Sequence, residues 1–87
     1  MSTKTIKAKL PKWFNGDLYT EGGIVYNRFS GEEYELNNVE LSMYDFIMGT
    51  TTMLELGMYS PSMVDDHQKG LDWFVKNNIE AYMVLLD

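Results

Sequence analysis

Residues 41–58 have the spacing of an α-helix with two apolar stripes, and this feature limits most strongly how the chain can fold. With about 100° per residue, the first stripe carries bulky, mostly apolar side chains: Met43, Tyr44, Ile47, Met48, Leu54 and Met58. The second stripe carries Phe46, Met53 and Leu56, with Ser42 and Gly49 beside them. A surface helix normally buries only one stripe, so the second one predicts contact with another copy of the chain or with a partner protein.

The chain is short for a helix of this kind, because its 87 residues are enough for one domain only. A domain near this size hides roughly 60 to 65% of its unfolded surface, so little of it is left to cover a second stripe. We therefore predict a homo-oligomer, most simply a two-fold dimer, with Phe46, Gly49, Met53 and Leu56 in the interface. The alternative is that the chain's own strands and tail enclose this stripe.

Composition predicts a single folded domain over residues 1–87. The hydrophobic fraction of 45% and the aromatic fraction of 14% are too high for a disordered chain. There is no cysteine, so disulfides and cysteine-ligated zinc are excluded, whereas small secreted domains usually need such cross-links. The first residues lack the apolar core of a signal peptide, and no apolar run approaches the roughly 18 residues of a membrane span. These features predict a cytoplasmic protein with no membrane partner.

Charge is divided between a basic start and an acidic body. Residues 1–12 are predicted to be a basic N-terminal arm or a lysine-protected edge strand, because they hold four of the seven cationic residues: Lys4, Lys7, Lys9 and Lys12. Residues 13–87 carry 3 positive and 13 negative charges, which repel the phosphates of nucleic acid. The charge therefore argues against a nucleic-acid partner outside the arm. A protein that mimics nucleic acid is a weaker alternative, because the acidic residues are scattered.

The first half of the chain has the alternating pattern of β-strands. Residues 5–10 alternate apolar and lysine side chains and predict a first strand. Residues 13–19 contain Asn15-Gly16, which suits a tight hairpin or a structured loop. The clearest strand covers residues 24–29, and the chain then turns and returns through residues 34–36.

Two longer helices follow the strands. Asn37-Asn38 offers a cap for the first helix, Glu40 lies in its first turn, and Gly57 ends it. Ser60-Pro61 begins the second helix, which we expect to run to about Lys76. The predicted core stripe of this second helix consists of Met63, Val64, His67, Gly70, Leu71, Phe74 and Val75.

Trp73 falls on the far side of the second helix from that stripe, so we predict that it is a further contact residue for a partner. Residues 79–86 form a short apolar run that fits a helix or a buried strand, and Glu80 and Ala81 favour the helix. The predicted fold class is therefore α+β, with a β-hairpin or small antiparallel meander followed by two helices and a short C-terminal helical segment.

The cluster Asp65, Asp66 and His67 superficially resembles a metal or acid–base site. Residues one and two apart on a helix do not face each other, so these three side chains diverge and cannot bind one ion together. We expect no metal and no cofactor. The acidic pair suits the N-terminal end of a helix, and His67 suits a half-buried position where burial favours its neutral form.

The other polar groups do not predict catalysis either. Ser60 and Ser62 flank a proline in a capping context, which is more typical of a helix start than of a nucleophile. Glu32 and Glu33 lie at a hairpin turn, where we expect solvated carboxylates. The glycine pairs fit neither phosphate-binding pattern, so we expect no catalytic residues and no enzyme.

Four segments together resemble small uncharacterised proteins encoded by tailed phages of marine cyanobacteria. These segments are residues 27–33, 40–46, 69–74 and 81–87, and the resemblance extends over about residues 11–87. It implies a phage origin, expression in the host cytoplasm, and either a host-directed or a particle-associated role. It implies no biochemical activity.

Together these patterns predict a non-enzymatic phage-encoded protein-interaction module that associates with itself and acts on a host or phage protein. A virion or assembly accessory protein is the alternative. An acidic nucleic-acid mimic and a small enzyme fit the residues less well.

Overall fold

The structure, a computed structural model, describes residues 10–14, 16 and 18–86. In chain order the elements are strand β1 (Gly23–Tyr26), strand β2 (Glu33–Leu36), helix α1 (Asn38–Glu55), helix α2 (Pro61–Asn77) and helix α3 (Ile79–Leu85). This order confirms the predicted α+β fold class and shows that the C-terminal segment is a helix. The strand predicted for residues 5–10 lies, except for Leu10, outside the described residues.

Strands β1 and β2 form an antiparallel hairpin in which Val25 is opposite Tyr34. The strand predicted for residues 24–29 corresponds to β1, which ends at Tyr26, three residues before Phe29. It ends there because the side chain of Asn27 starts the turn. Its Oδ1 accepts hydrogen bonds from the backbone N–H groups of Phe29, at 2.7 Å, and Ser30, at 3.1 Å. A short polar side chain that binds the following backbone in this way replaces the strand ladder.

The inner face of the hairpin packs against α3 and the start of α1, with Leu36 fully buried. At the edge of this contact, Tyr34 Oη donates to Glu80 Oε1 at 3.0 Å. Asn27 Nδ2 donates to the carbonyl of Val84 at 3.1 Å, near the other end of α3. Burial, and then the hydrogen bond to Glu80, raise the pKa of Tyr34 above its ordinary value, which favours the protonated hydroxyl that donates to Glu80.

Helix α1 starts at the predicted place through a reciprocal capping box. Asn37 Oδ1 accepts from the N–H of Glu40 at 2.8 Å, and Glu40 Oε1 accepts from the N–H of Asn37 at 3.0 Å. The second oxygen of Glu40 accepts from Asn78 Nδ2 at 2.9 Å, which ties the start of α1 to the start of α3. The helix ends before Gly57, which has a φ of 74°, as the sequence predicts.

Helix α2 also starts as predicted, with Pro61 as its first residue and Ser60 Oγ accepting from the N–H of Met63 at 3.3 Å. Further along, Gly70 allows α2 to approach α1 closely. A Cβ atom at Gly70 would lie 2.9 Å from Cγ1 of Ile47, closer than side chains normally pack. The absence of a side chain at this position therefore sets the distance between the two long helices.

One core is formed where the hairpin and the three helices meet. Its buried apolar members are Leu36, Met43, Ile47, Trp73, Phe74, Ala81 and Leu85. The prediction that Trp73 faces away from the core is wrong, because only 8% of this residue is exposed. Its ring packs edge-to-face on Phe74 at 5.1 Å, and it shares a cleft with Pro11 and Trp13, whose segment lies beside this part of α2.

Three residues show the opposite difference, because they were predicted to be in the core and are exposed. Val64 and Val75 are each 42% exposed, so the buried stripe of α2 is narrower than the sequence pattern indicates. Met58 is 58% exposed because α1 has already ended and the chain has turned at Gly57. Periodicity identifies the centre of a buried stripe, but the neighbouring elements decide its width.

Candidate functional site

The first part of the second α1 stripe is covered by the chain's own N-terminal segment. Phe46 is half-buried, and its ring lies 5.5 Å from that of Phe14 and 5.8 Å from that of Trp13. Trp13 and Phe14 also pack against each other, at 6.5 Å. These three rings form a small aromatic cluster on the outside of α1, so Phe46 already has neighbours within its own chain.

Ser42, which the sequence places beside this stripe as a point of close approach, is buried inside the protein instead. Its Oγ accepts from the N–H of Tyr19 at 2.9 Å and donates to the carbonyl of Asn38 at 2.7 Å. Tyr19 is held further by its hydroxyl, which donates to Asp45 Oδ2 at 2.9 Å. The segment before β1 is thus attached along the first half of α1, which excludes a second helix from that half.

The second half of the stripe has no such cover among the described residues. Leu56 is 64% exposed and Met53 is half-buried. Gly49 is exposed, and beyond its own turn of helix no atom lies within 4 Å of where its Cβ would stand. Met58 lies next to them, because its N–H donates to the carbonyl of Met53 at 2.9 Å. We call Gly49, Met53, Leu56 and Met58 the α1 apolar surface. It lies at the end of the molecule where α1 turns into α2.

Of the predicted contact residues, the structure therefore brings Gly49, Met53 and Leu56 together on one surface. Phe46 belongs to the same stripe but lies under the N-terminal aromatic rings, and Trp73 lies in the core. Chain segments distant in sequence cover both residues, and helical spacing alone gives no information about such contacts.

A partly buried polar pair joins α1 to α2. Thr50 Oγ1 lies 2.6 Å from Nδ1 of His67 and donates to the carbonyl of Ile47 at 3.0 Å. His67 is half-buried as predicted, and burial lowers its pKa and so favours the neutral form. Thr50 was not predicted as a core or site residue, although it stands three residues after Ile47 and four before Leu54, on the core face.

Stability should depend on pH through His67. The ordinary pKa is 6.5 and the folded pKa is lower, so the unfolded chain takes up a proton more readily than the folded one as the pH falls. The free energy of unfolding should be at its full value above the ordinary pKa of 6.5 and should decrease as the pH falls below it. Urea unfolding at about pH 7.5 and 5.5 measures the change, with His67→Gln as the non-titrating control. Equal pH dependence in both proteins would contradict the assignment.

The neighbouring acidic residues do not converge on His67. Asp65 instead forms an exposed ion pair with Lys69, at 3.1 Å. Over the described residues, no three His, Cys, Asp or Glu side chains are grouped so that they could hold a metal ion. The oxygens of Ser60 and Ser62 lie 3.1 Å apart at the start of α2, where Ser60 acts as the predicted cap.

A shallow cleft of about 260 Å³ lies between α2 and the segment that contains Pro11 and Trp13. Its lining combines aromatic and charged residues: Pro11, Trp13, Lys69, Asp72, Trp73, Lys76 and Asn77. The Lys69 ammonium is 6.0 Å from the centre of the Trp13 ring. Asp65 already pairs with Lys69, and Asp72 stands beside Lys76, so the local charges largely offset each other. The cleft is also smaller than typical ligand pockets, so it is a weak candidate for a small-molecule site.

Comparisons with protein-family models, with curated proteins and with solved structures found no match. Within the described part of the chain, no helix combines the length and the apolar character that crossing a bilayer requires.

Proposed function

We propose that this protein is a non-enzymatic interaction module that forms a two-fold dimer through the α1 apolar surface. The observation that carries this proposal is the contrast between the two halves of one stripe. The first half is covered by Trp13, Phe14 and Tyr19, whereas the second half ends in the exposed Leu56. Exposed apolar side chains that adjoin one another on a surface are typical of protein contacts.

A second copy of the chain can cover this surface well. In a two-fold dimer the same surface faces itself, so every apolar side chain that it buries is buried twice. Gly49 has no neighbour at its Cβ position, which leaves room for another helix to approach closely. Three side chains per copy, Met53, Leu56 and Met58, would then pack around this point.

The expected strength is in the micromolar range. Burying one Leu or Met side chain completely stabilises by roughly 1.5 to 3 kcal/mol, and less where the side chain is already partly covered. A dissociation constant of 1 μM corresponds to about 8 kcal/mol, after the loss of translational and rotational freedom has been subtracted. Six such side chains, if fully buried, supply roughly 9 to 18 kcal/mol before that loss is subtracted, which is enough for an affinity of this order.

Two further observations support a role without catalysis. The chain has a single histidine, His67, and Thr50 engages it between α1 and α2. There is no cysteine to act as a nucleophile. The Thr50 hydroxyl lies beside this histidine, but Thr50 is only 7% exposed and its hydroxyl donates to the carbonyl of Ile47. A nucleophile and its base must be reachable by a substrate, and this buried hydroxyl is not.

The sequence resemblance to proteins of tailed phages supports a proposal about where the protein acts. We place the protein in the cytoplasm of an infected host, where the dimer binds a host protein. The alternative is a virion or assembly accessory role. Affinity purification from infected host lysate, compared with mass spectrometry of purified particles, distinguishes these two settings.

Two exposed positions allow a sharp test of the dimer. Gly49→Glu with Leu56→Glu places two charges on the α1 apolar surface of each copy. Position 49 is open and Leu56 is exposed, so the variant should be a folded monomer. Val75→Glu with Met83→Glu is the matched control, because it adds the same charge at other exposed apolar positions and should remain a dimer. Light scattering gives the mass, and circular dichroism checks the fold.

Either of two results would count against the proposal. The Gly49 and Leu56 variant could keep the mass of the wild-type dimer, which would mean that the interface lies elsewhere. Alternatively, the control could dissociate equally, which would mean that added charge alone separates the chains.

A further inference from the structure

The outer face of the hairpin is a second surface, separate from α1. Ile24 and Tyr26 of β1 are 65% and 61% exposed there. Glu35 is opposite Ile24 and Glu33 is opposite Tyr26, and both glutamates are exposed. In an antiparallel pair, directly opposite residues share a face, so the apolar row and the acidic row lie side by side.

The free edge of β1 adds backbone hydrogen-bonding groups to this surface. Among the described residues the sheet has two strands only, so β1 is paired on one side. The N–H of Asn27 donates to the carbonyl of Glu32 at 2.9 Å. This bond fixes which residues of β1 are hydrogen-bonded to β2, since every second residue of an antiparallel strand is. By that alternation Val25 bonds with β2, while the N–H and C=O groups of Ile24 and Tyr26 point towards the free edge.

The hairpin carries mostly negative charge. Residues 23–36 contain three glutamates and a single cation, Arg28. The guanidinium of Arg28 stacks on the ring of Phe29 in the turn, at 5.2 Å from its centre, and so lies beyond the two strands. The strand region itself therefore presents only negative charge to a partner.

We propose that the β1 edge binds an extended basic peptide as a third strand. Backbone groups of the peptide would bond to the outward N–H and C=O groups of Ile24 and Tyr26. Lysine or arginine at alternate positions would point to the outer face, because side chains on one face of a strand repeat every two residues. Their aliphatic stems would cover Ile24 and Tyr26, and their charged ends would reach Glu33 and Glu35.

A synthetic copy of residues 3–10, TKTIKAKL, is a suitable probe because Lys7 and Lys9 alternate in it with Ile6, Ala8 and Leu10. The probe is titrated into the full-length protein, and backbone amide signals are followed by NMR. The signals of Ile24 and Tyr26 should shift with saturation. The acidic peptide TETIEAEL should leave them unchanged.

Charge reversal tests the complementarity. Glu33→Lys with Glu35→Lys should weaken binding of the basic peptide by about tenfold or more, and added salt should weaken it in the wild type. Glu55→Lys with Asp72→Lys changes the net charge equally at exposed positions of α1 and α2, and it should bind like the wild type. The hairpin variant should keep the mass of the wild-type protein, which separates this surface from the proposed dimer interface.

Three results would overturn the inference. One is the absence of saturable binding. Another is binding that survives the reversal of Glu33 and Glu35. The third is slow hydrogen exchange at the amides of Ile24 and Tyr26 in the free protein, because it would show that another part of the chain already occupies the edge.

Discussion

Replacing Phe74 by alanine should destabilise the fold by about 3 to 5 kcal/mol. Phe74 is fully buried, and it packs edge-to-face on Trp73 at the centre of the core. Truncation removes the buried ring and leaves a cavity that α1, α2 and α3 cannot close without moving. Urea unfolding followed by circular dichroism measures the loss as a shift of the midpoint.

The adjacent Val75 supplies the control for this change. It is 42% exposed, so Val75→Ala should alter the free energy of unfolding by about 0.5 kcal/mol or less. The sequence pattern alone places both residues on the same buried stripe and predicts losses for both. Similar large losses for the two variants would show that the structure assigns the faces of α2 incorrectly.

Replacing Gly22 by alanine should be equally damaging, with a loss of about 3 kcal/mol or more. A Cβ atom there would collide with the carbonyl oxygen of Leu36 and lie 2.8 Å from Cα of Asn37. All of these are backbone atoms at the point where β2 passes into α1, so no side-chain rotation can relieve the overlap. The chain would have to separate β1 from the start of α1.

The next residue, Gly23, offers the matched control. A Cβ atom at Gly23 would lie 3.8 Å from Cδ2 of Leu41, which is an ordinary contact. Gly23→Ala should therefore leave stability unchanged or raise it slightly, because alanine restricts the unfolded chain. Thermal unfolding of the two variants side by side separates a collision at Gly22 from a general intolerance of alanine in the strand. Equal midpoints would contradict the predicted collision.

The parts of the fold that sequence predicts well are those set by local chemistry. Asn37 and Glu40 form a capping box, and Ser60-Pro61 begins a helix, because each arrangement needs only residues within one turn. Asn27 is the instructive exception among the local signals. Its side chain ends β1 early, although the following residues continue a strand-like pattern.

The parts that sequence could not predict are set by distant contacts. Trp73 is buried beside Pro11 and Trp13, and Phe46 is covered by Trp13 and Phe14. These partners are more than 30 positions away in sequence, and helical spacing carries no information about them. The same limit explains why half of the predicted interface stripe is internal and half is exposed.

The mass of the wild-type protein in solution shows whether the α1 apolar surface forms a dimer. Light scattering on a sizing column at about 100 μM should give the mass of two chains, because a micromolar dimer is almost fully assembled at that concentration. Dilution by several hundredfold should then shift the mass towards one chain. A mass of one chain at about 100 μM would contradict the claim that the α1 apolar surface holds two copies together.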